Sequence, residues 1–180
     1  TMQEPVHLIR GLRLRNLPDR WYGLAGLDAL VWTRDGGPPD SERFTPESES
    51  ALRTWVQRGG HLVISLPAVG GGWLGPRFAG LMPVSQAESR RVEDLPPPVL
   101  GSIRTVEPVP ITYTVFDLDR DSRATVLARD REGGALIVAG RYGFGRVTVI
   151  GVDLSDARVR AMGLPSGVER IWNRVFHWGA

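Results

Sequence analysis

Few side chains in this sequence could carry covalent or acid–base chemistry, and their spacing decides what that chemistry would be. Ser65 is the candidate nucleophile, set in Ile64-Ser65-Leu66-Pro67-Ala68. That setting lacks the Gly-x-Ser-x-Gly elbow that lifts a serine into reach of a substrate, so a hydrogen-bonded strand serine is expected and a displaced nucleophile is the alternative. His7, His61 and His177 fall in three separate elements with no ligand-like spacing. With no cysteine in the chain, thiolate ligands, disulfides and cysteine nucleophiles are all excluded, and neither a metal nor a cofactor is expected. Gly70-Gly71-Gly72 follows a strand-like run as a phosphate cradle would, but both the Gly-x-Gly-x-x-Gly and the Gly-Lys-Ser/Thr patterns are missing, which favours a flexible turn. Asp117, Asp119 and Asp121 crowd one stretch without the glycine and distal glutamate of a calcium loop, and a solvated loop is expected there.

The elements that must position these groups are legible in the punctuation of the chain. Residues 6–14 alternate apolar and basic side chains as a half-solvated strand would, until Pro18 breaks the pattern. A turn or short helix is expected over 21–24. Residues 27–33 form an apolar run of strand length ending in Arg34-Asp35-Gly36-Gly37-Pro38-Pro39, consistent with a buried parallel strand. Thr45 can then cap a helix with Pro46 at its first position, Leu52, Trp55 and Val56 on one apolar face, and Gly59-Gly60 as its stop. The run 61–66 is a second strand, so strand, helix and strand make a crossover unit with parallel strands. A short helix fits 73–81, and residues 111–116 have strand composition, but 84–122 as a whole is expected to be an irregular, proline-rich surface excursion. Three β-rich runs, 124–128, 135–141 and 146–153, predict an antiparallel meander. Ser166 and Glu169 are spaced as a capping box before Ile171, Trp172, Val175 and Phe176, whose spacing predicts a closing helix against the sheet.

Composition bounds what this scaffold can be. A length of 180 residues with 42% apolar content supports one domain, residues 1–180, with a sizeable core. All 22 basic residues are arginine, yet 20 acidic residues are interspersed among them and the net charge is only +2. The dense patches Arg10/Arg13/Arg15 and Arg90/Arg91 therefore read as solvated faces, and no nucleic-acid partner is expected. No run of about 18 apolar residues is present, so none of these 180 residues is expected to span a membrane.

Four segments taken in order carry a family resemblance: residues 17–24 leading into 27–32, residues 51–64 (Ala-Leu-Arg-Thr-Trp-Val-Gln-Arg-Gly-Gly-His-Leu-Val-Ile), residues 140–149 (Gly-Arg-Tyr-Gly-Phe-Gly-Arg-Val-Thr-Val), and the closing helix. Together they resemble the class I glutamine amidotransferase-like domains of bacterial membrane proteins. The resemblance implies an α/β fold: a flavodoxin-like or class I glutamine amidotransferase-like three-layer sandwich with a mostly parallel sheet and a C-terminal antiparallel β-meander. It also implies a parent protein anchored by transmembrane helices outside these residues, a first strand preceding them, and a location on the extracytoplasmic (periplasmic) face of the inner membrane, with the cytoplasm as the alternative.

Active members of that class use a cysteine on a strained turn and a later His-x-Glu pair to activate it. Carried onto this chain, the nucleophile position falls at Leu66, the histidine position at Ser155 and the glutamate position at Ala157, none of which keeps the required side chain. The expectation is a non-catalytic module that binds an unknown protein or small-molecule ligand. A serine-dependent hydrolase using Ser65, or a structural spacer, are the alternatives. Because open parallel sheets form a crevice beyond the carboxyl ends of their strands, the expected ligand site comprises Gly36, Gly37, Ser65, Pro67, Asp153 and Ser155, with Trp32, Trp73 and Tyr142 nearby.

Overall fold

The structure is a computed structural model that describes residues 9, 11–37, 39, 43–65, 71–92, 111–118, 123–130, 132–156 and 165–177. Its elements follow the chain as β1 (Ala29–Trp32), α1 (Pro46–Gln57), β2 (His61–Ser65), β3 (Gln86–Val92), β4 (Ile111–Asp117), β5 (Thr125–Arg129), β6 (Ala135–Tyr142), β7 (Gly145–Ile150) and α2 (Pro165–His177). The result is an α/β fold in which one seven-stranded sheet runs β1-β2-β7-β6-β4-β3, with β5 on β6.

The sheet is mixed, which corrects the expectation of a mostly parallel one. Among the described residues only β1–β2 and β2–β7 are parallel, whereas β3–β4, β4–β6, β5–β6 and β6–β7 are antiparallel. The meander β5-β6-β7 forms as its turn glycines imply. The difference comes from the expected surface excursion: Gln86–Val92 and Ile111–Asp117 inside it pair antiparallel over their full length and extend the sheet. The sequence Gln-Ala-Glu-Ser-Arg-Arg-Val is too polar to look like a strand, and it is the sheet's outer edge, where charge is tolerated. The expected strand over 6–14 also fails where it is described. Gly11 turns the chain at φ 80° and Leu14–Asn16 form a 3-10 turn instead.

Local chemistry explains the parts that form as expected. Thr45 Oγ1 accepts the Ser48 N–H at 3.2 Å, Pro46 opens α1, and Glu47 and Glu49 lie in its first turn near the positive end of the helix dipole. The helix stops at Gly59, φ 125°, where the chain reverses into β2. The short helix expected over 73–81 is two 3-10 turns, Gly71–Trp73 and Pro76–Phe78. The closing helix begins at Pro165, one residue before the expected cap Ser166.

Helices cover both faces of the sheet. Leu52, Trp55 and Val56 of α1 share one core with Leu62, Ile64, Val147 and Val149, whereas Ile171 and Val175 of α2 share the other with Val63, Ile137 and Ile150. Alternate residues of β2 and β7 thus point to opposite layers. β2 is buried throughout, because it is flanked by strands on both edges and covered on both faces.

Candidate cleft at the carboxyl ends of the parallel strands

The three parallel strands end together, and the polar side chains at that end are tied to backbone. Ser65, the last residue of β2, is fully buried. Its hydroxyl donates to the Val152 carbonyl at 2.6 Å and accepts the Leu154 N–H at 2.9 Å, clamping the segment after β7 to the end of β2. The hydroxyl proton is therefore committed to a carbonyl. His61 lies at the opposite end of the same strand, about 13 Å away at about 3.3 Å per residue, and cannot serve Ser65 as a base.

Asp153 and Ser155 form a closed turn beside it. The buried Asp153 Oδ1 accepts the Ser155 N–H at 2.9 Å and the Ser155 hydroxyl at 2.5 Å, and the Asp156 N–H returns to the Asp153 carbonyl at 3.1 Å. A carboxylate and a hydroxyl thus meet without an imidazole between them, an arrangement that shapes the chain rather than activating a nucleophile. Leu66, Pro67 and Ala157 lie outside the described residues, as do Asp119, Asp121, His7 and Gly70.

Gly36 and Gly37 follow β1 and wrap its last side chain. Trp32 Nε1 donates to the Gly37 carbonyl at 3.0 Å, Gly37 takes φ 84°, and a Cβ on Gly36 would sit 2.9 Å from that nitrogen. Trp32 stands edge-on to Trp73, with ring centroids 4.9 Å apart, and to Phe44 at 5.7 Å, anchoring this corner in an aromatic cluster. Of the aromatic residues expected near the crevice, Trp32 alone lines it. Trp73 is core, and Tyr142 pairs with Gly145 at the amino end of β7, away from the crevice.

Over this corner opens a cleft of about 1420 Å³. It follows residues 29–33 along the outer side of β1, is walled by residues 11–18 together with Gly36 and Gly37, and reaches Leu154 and Ser155. Ser65 and Asp153 lie behind its wall and do not line it. The expected ligand set is therefore brought to one corner of the fold but divided: Gly36, Gly37 and Ser155 face the cleft, and Ser65 and Asp153 brace it from beneath. Arg13, Arg15 and Arg43 also line it, and no Asp or Glu does among the described residues. Sequence reasoning missed this arginine wall by treating Arg13 and Arg15 as a solvated face; Leu12 and Leu14 interleaved with them were the available signal.

Elsewhere the charged groups serve the frame. Asp130 is buried and accepts the Tyr113 hydroxyl at 3.0 Å, the Gly134 N–H at 2.6 Å, the Glu132 N–H at 3.0 Å and Arg90 Nη1 at 2.9 Å. Burial pushes the Asp130 carboxyl up, but these hydrogen bonds and the Arg90 charge outweigh it and hold it below the usual carboxylate range. Burial likewise pushes Glu49 up, and hydrogen bonds and charge from Arg77 and Arg53 more than reverse this. His61 Nε2 sits 2.8 Å from Thr148 Oγ1 in the core, its ring edge-on to Phe176 of α2, and burial reinforced by the Arg146 charge holds its pKa down to about 4. No group of His, Asp and Glu side chains among the described residues could hold a metal ion.

Neither a protein-family model nor a curated protein matches the chain. Solved structures do. It is similar to the cytoplasmic protein STM3548 from Salmonella typhimurium, with a TM-score of 0.60 and 18% identity over 89% of this chain and 76% of that one. It is also similar to the cytoplasmic protein STM1381 from Salmonella typhimurium LT2, with a TM-score of 0.51 and 22% identity over 89% and 75% of the two chains. At these identities the likeness establishes a shared fold. An exo-β-1,4-mannosidase from Opitutaceae bacterium strain TAV5 aligns more loosely, at a TM-score of 0.46 over 25% of its length. The extracytoplasmic (periplasmic) location expected from the resemblance is overturned here, because the proteins that share the fold are named as cytoplasmic. No helix among the described residues is long and apolar enough to cross a membrane.

Proposed function

We propose that the chain is a non-catalytic member of the class I glutamine amidotransferase-like domains, acting in the cytoplasm as a ligand- or protein-interaction module. The reading is supported by the regularity of three of the segments that carry the resemblance: residues 27–32 run into β1, 51–64 span the end of α1 and β2, and 140–149 span the β6–β7 hairpin. Leu66, Ser155 and Ala157 stand where a nucleophile and its activating pair would be required.

The observation that carries this function is the division of labour at the carboxyl end of the sheet. The Ser65 hydroxyl is spent on Val152 and Leu154, behind a wall whose open side is a large cleft lined by apolar side chains and arginines. A buried hydroxyl that stiffens a cleft suits binding, where rigidity reduces the entropy lost on association. The cytoplasmic location follows the two Salmonella proteins that share the fold.

A thermal-shift screen of the chain against small carboxylates, phosphates and short peptides, run beside a broad esterase and amidase panel, tests the proposal. A concentration-dependent rise in melting temperature with no turnover is expected. Turnover abolished in Ser65→Ala would overturn it in favour of a serine hydrolase, and no shift with any compound would leave a spacer.

A further inference from the structure

The two edges of the sheet are built differently. β3 closes one edge with Glu88 and Arg90, and Arg90 is held by Asp130 and Glu132 at 2.9 and 2.7 Å. Charges of this kind discourage another strand from pairing there. β1 closes the other with Ala-Leu-Val-Trp, which has no charge, no proline and no irregularity in its register with β2. Among the described residues β1 pairs with β2 alone. The His61 N–H donates to the Asp28 carbonyl at 3.2 Å, so residues 28, 30 and 32 turn their backbone groups toward β2. In a parallel ladder alternate residues face opposite sides, which directs the N–H and C=O groups of Ala29 and Val31 outward.

The cleft runs along that outward side. At about 1420 Å³ it exceeds the roughly 300–1,000 Å³ typical of small-molecule pockets and is long enough to follow the whole strand. Its lining exposes apolar side chains, Ile9 at 73%, Leu12 at 39% and Val31 at 37%. Arg13 and Arg15 bring positive charge to it, with no carboxylate among the described lining residues.

We propose that the cleft binds an extended acidic peptide segment of a partner protein, which adds to β1 as a further strand. Backbone groups of Ala29 and Val31 supply the ladder, the exposed apolar side chains take alternate residues of the peptide, and Arg13 and Arg15 receive its carboxylates. This deepens the proposed interaction function and rests on it.

The test uses the 180-residue chain and labelled octapeptides followed by fluorescence anisotropy. An alternating Val-Glu peptide is expected to bind saturably. The same peptide N-methylated at every residue, which cannot donate to a ladder along either edge, and an alternating Val-Lys peptide are each expected to bind at least about tenfold more weakly. Arg13→Glu combined with Arg15→Glu should weaken the Val-Glu peptide by about the same factor, as should raising salt from about 50 mM to about 500 mM. Binding indifferent to N-methylation, or a second copy of the chain occupying the edge in light scattering and excluding the peptide, would overturn strand addition. Stabilisation by glutarate without peptide binding would overturn it while leaving the interaction module intact; no response to any anion or peptide would overturn both.

Discussion

Ser65 and His61 lie four residues apart on one buried strand, and their physical chemistry separates their roles. Removing the Ser65 hydroxyl leaves the Leu154 N–H and the Val152 carbonyl without their partner in a dry site. Ser65→Ala should therefore destabilise the fold by about 1–3 kcal/mol, measured by urea denaturation, whether or not any turnover exists. His61 sets a pH dependence. In the folded state its pKa is about 4, against about 6.5 in an unfolded chain, so on acidification the unfolded state takes up a proton that the native core refuses. Its contribution is intact above pH 6.5 and is lost as pH falls from about 6.5 to about 4, by about 3 kcal/mol in all. Asp130 and Glu49, whose carboxyls are held low, contribute stability that persists above the ordinary carboxylate range and goes only at more acid pH. Denaturation midpoints at pH 7.5, 6 and 5 should thus fall in wild type and flatten in His61→Gln.

At the level of elements, the β6–β7 hairpin is joined to α1 by backbone approach. Gly143 takes φ 62°, the Phe144 N–H donates to the Gln57 carbonyl at 2.9 Å, and the Arg146 N–H donates to the Gly60 carbonyl at 3.1 Å. A Cβ on Gly145 would overlap the Val56 carbonyl oxygen, so only glycine lets the hairpin lie against the end of the helix. Gly145→Ala should cost at least about 2 kcal/mol by displacing β7 from α1. Gly26→Ala, where an added Cβ meets nothing within 4 Å, should be close to neutral when the two variants are compared by thermal melts. The hairpin's exposed Phe144 lies at the amino end of β7, remote from the cleft, so truncating it should leave both stability and peptide binding nearly unchanged.

For the whole molecule, a single sheet carries both hydrophobic cores, and β2 and β7 contribute side chains to each. Neither face can open without stripping the other, so tryptophan fluorescence and far-ultraviolet circular dichroism should report one coincident unfolding transition. Two separated transitions would show that β3 and β4 melt apart from the parallel strands. The sequence by itself determined α1, the crossover from β1 to β2, the meander and the closing helix. Their signals are local: a capping threonine before a proline, Gly59-Gly60 as a stop, paired glycines between apolar runs, and side chains repeating at helical spacing. It also determined that no cysteine could act. Tertiary structure alone decided the rest. Gln86–Val92 is a strand because β4 offers it a ladder, not because its own residues prefer one, and that pairing, with β4 on β6, adds to the antiparallel pairs of the meander where a mostly parallel sheet was expected. That the Ser65 hydroxyl is buried against Val152 and Leu154, and that Arg13 and Arg15 wall a cleft beside β1, depend on segments distant in the chain meeting at one corner. Such contacts are formed by burying surface between distant stretches of chain, and no local pattern of residues encodes which stretches will meet.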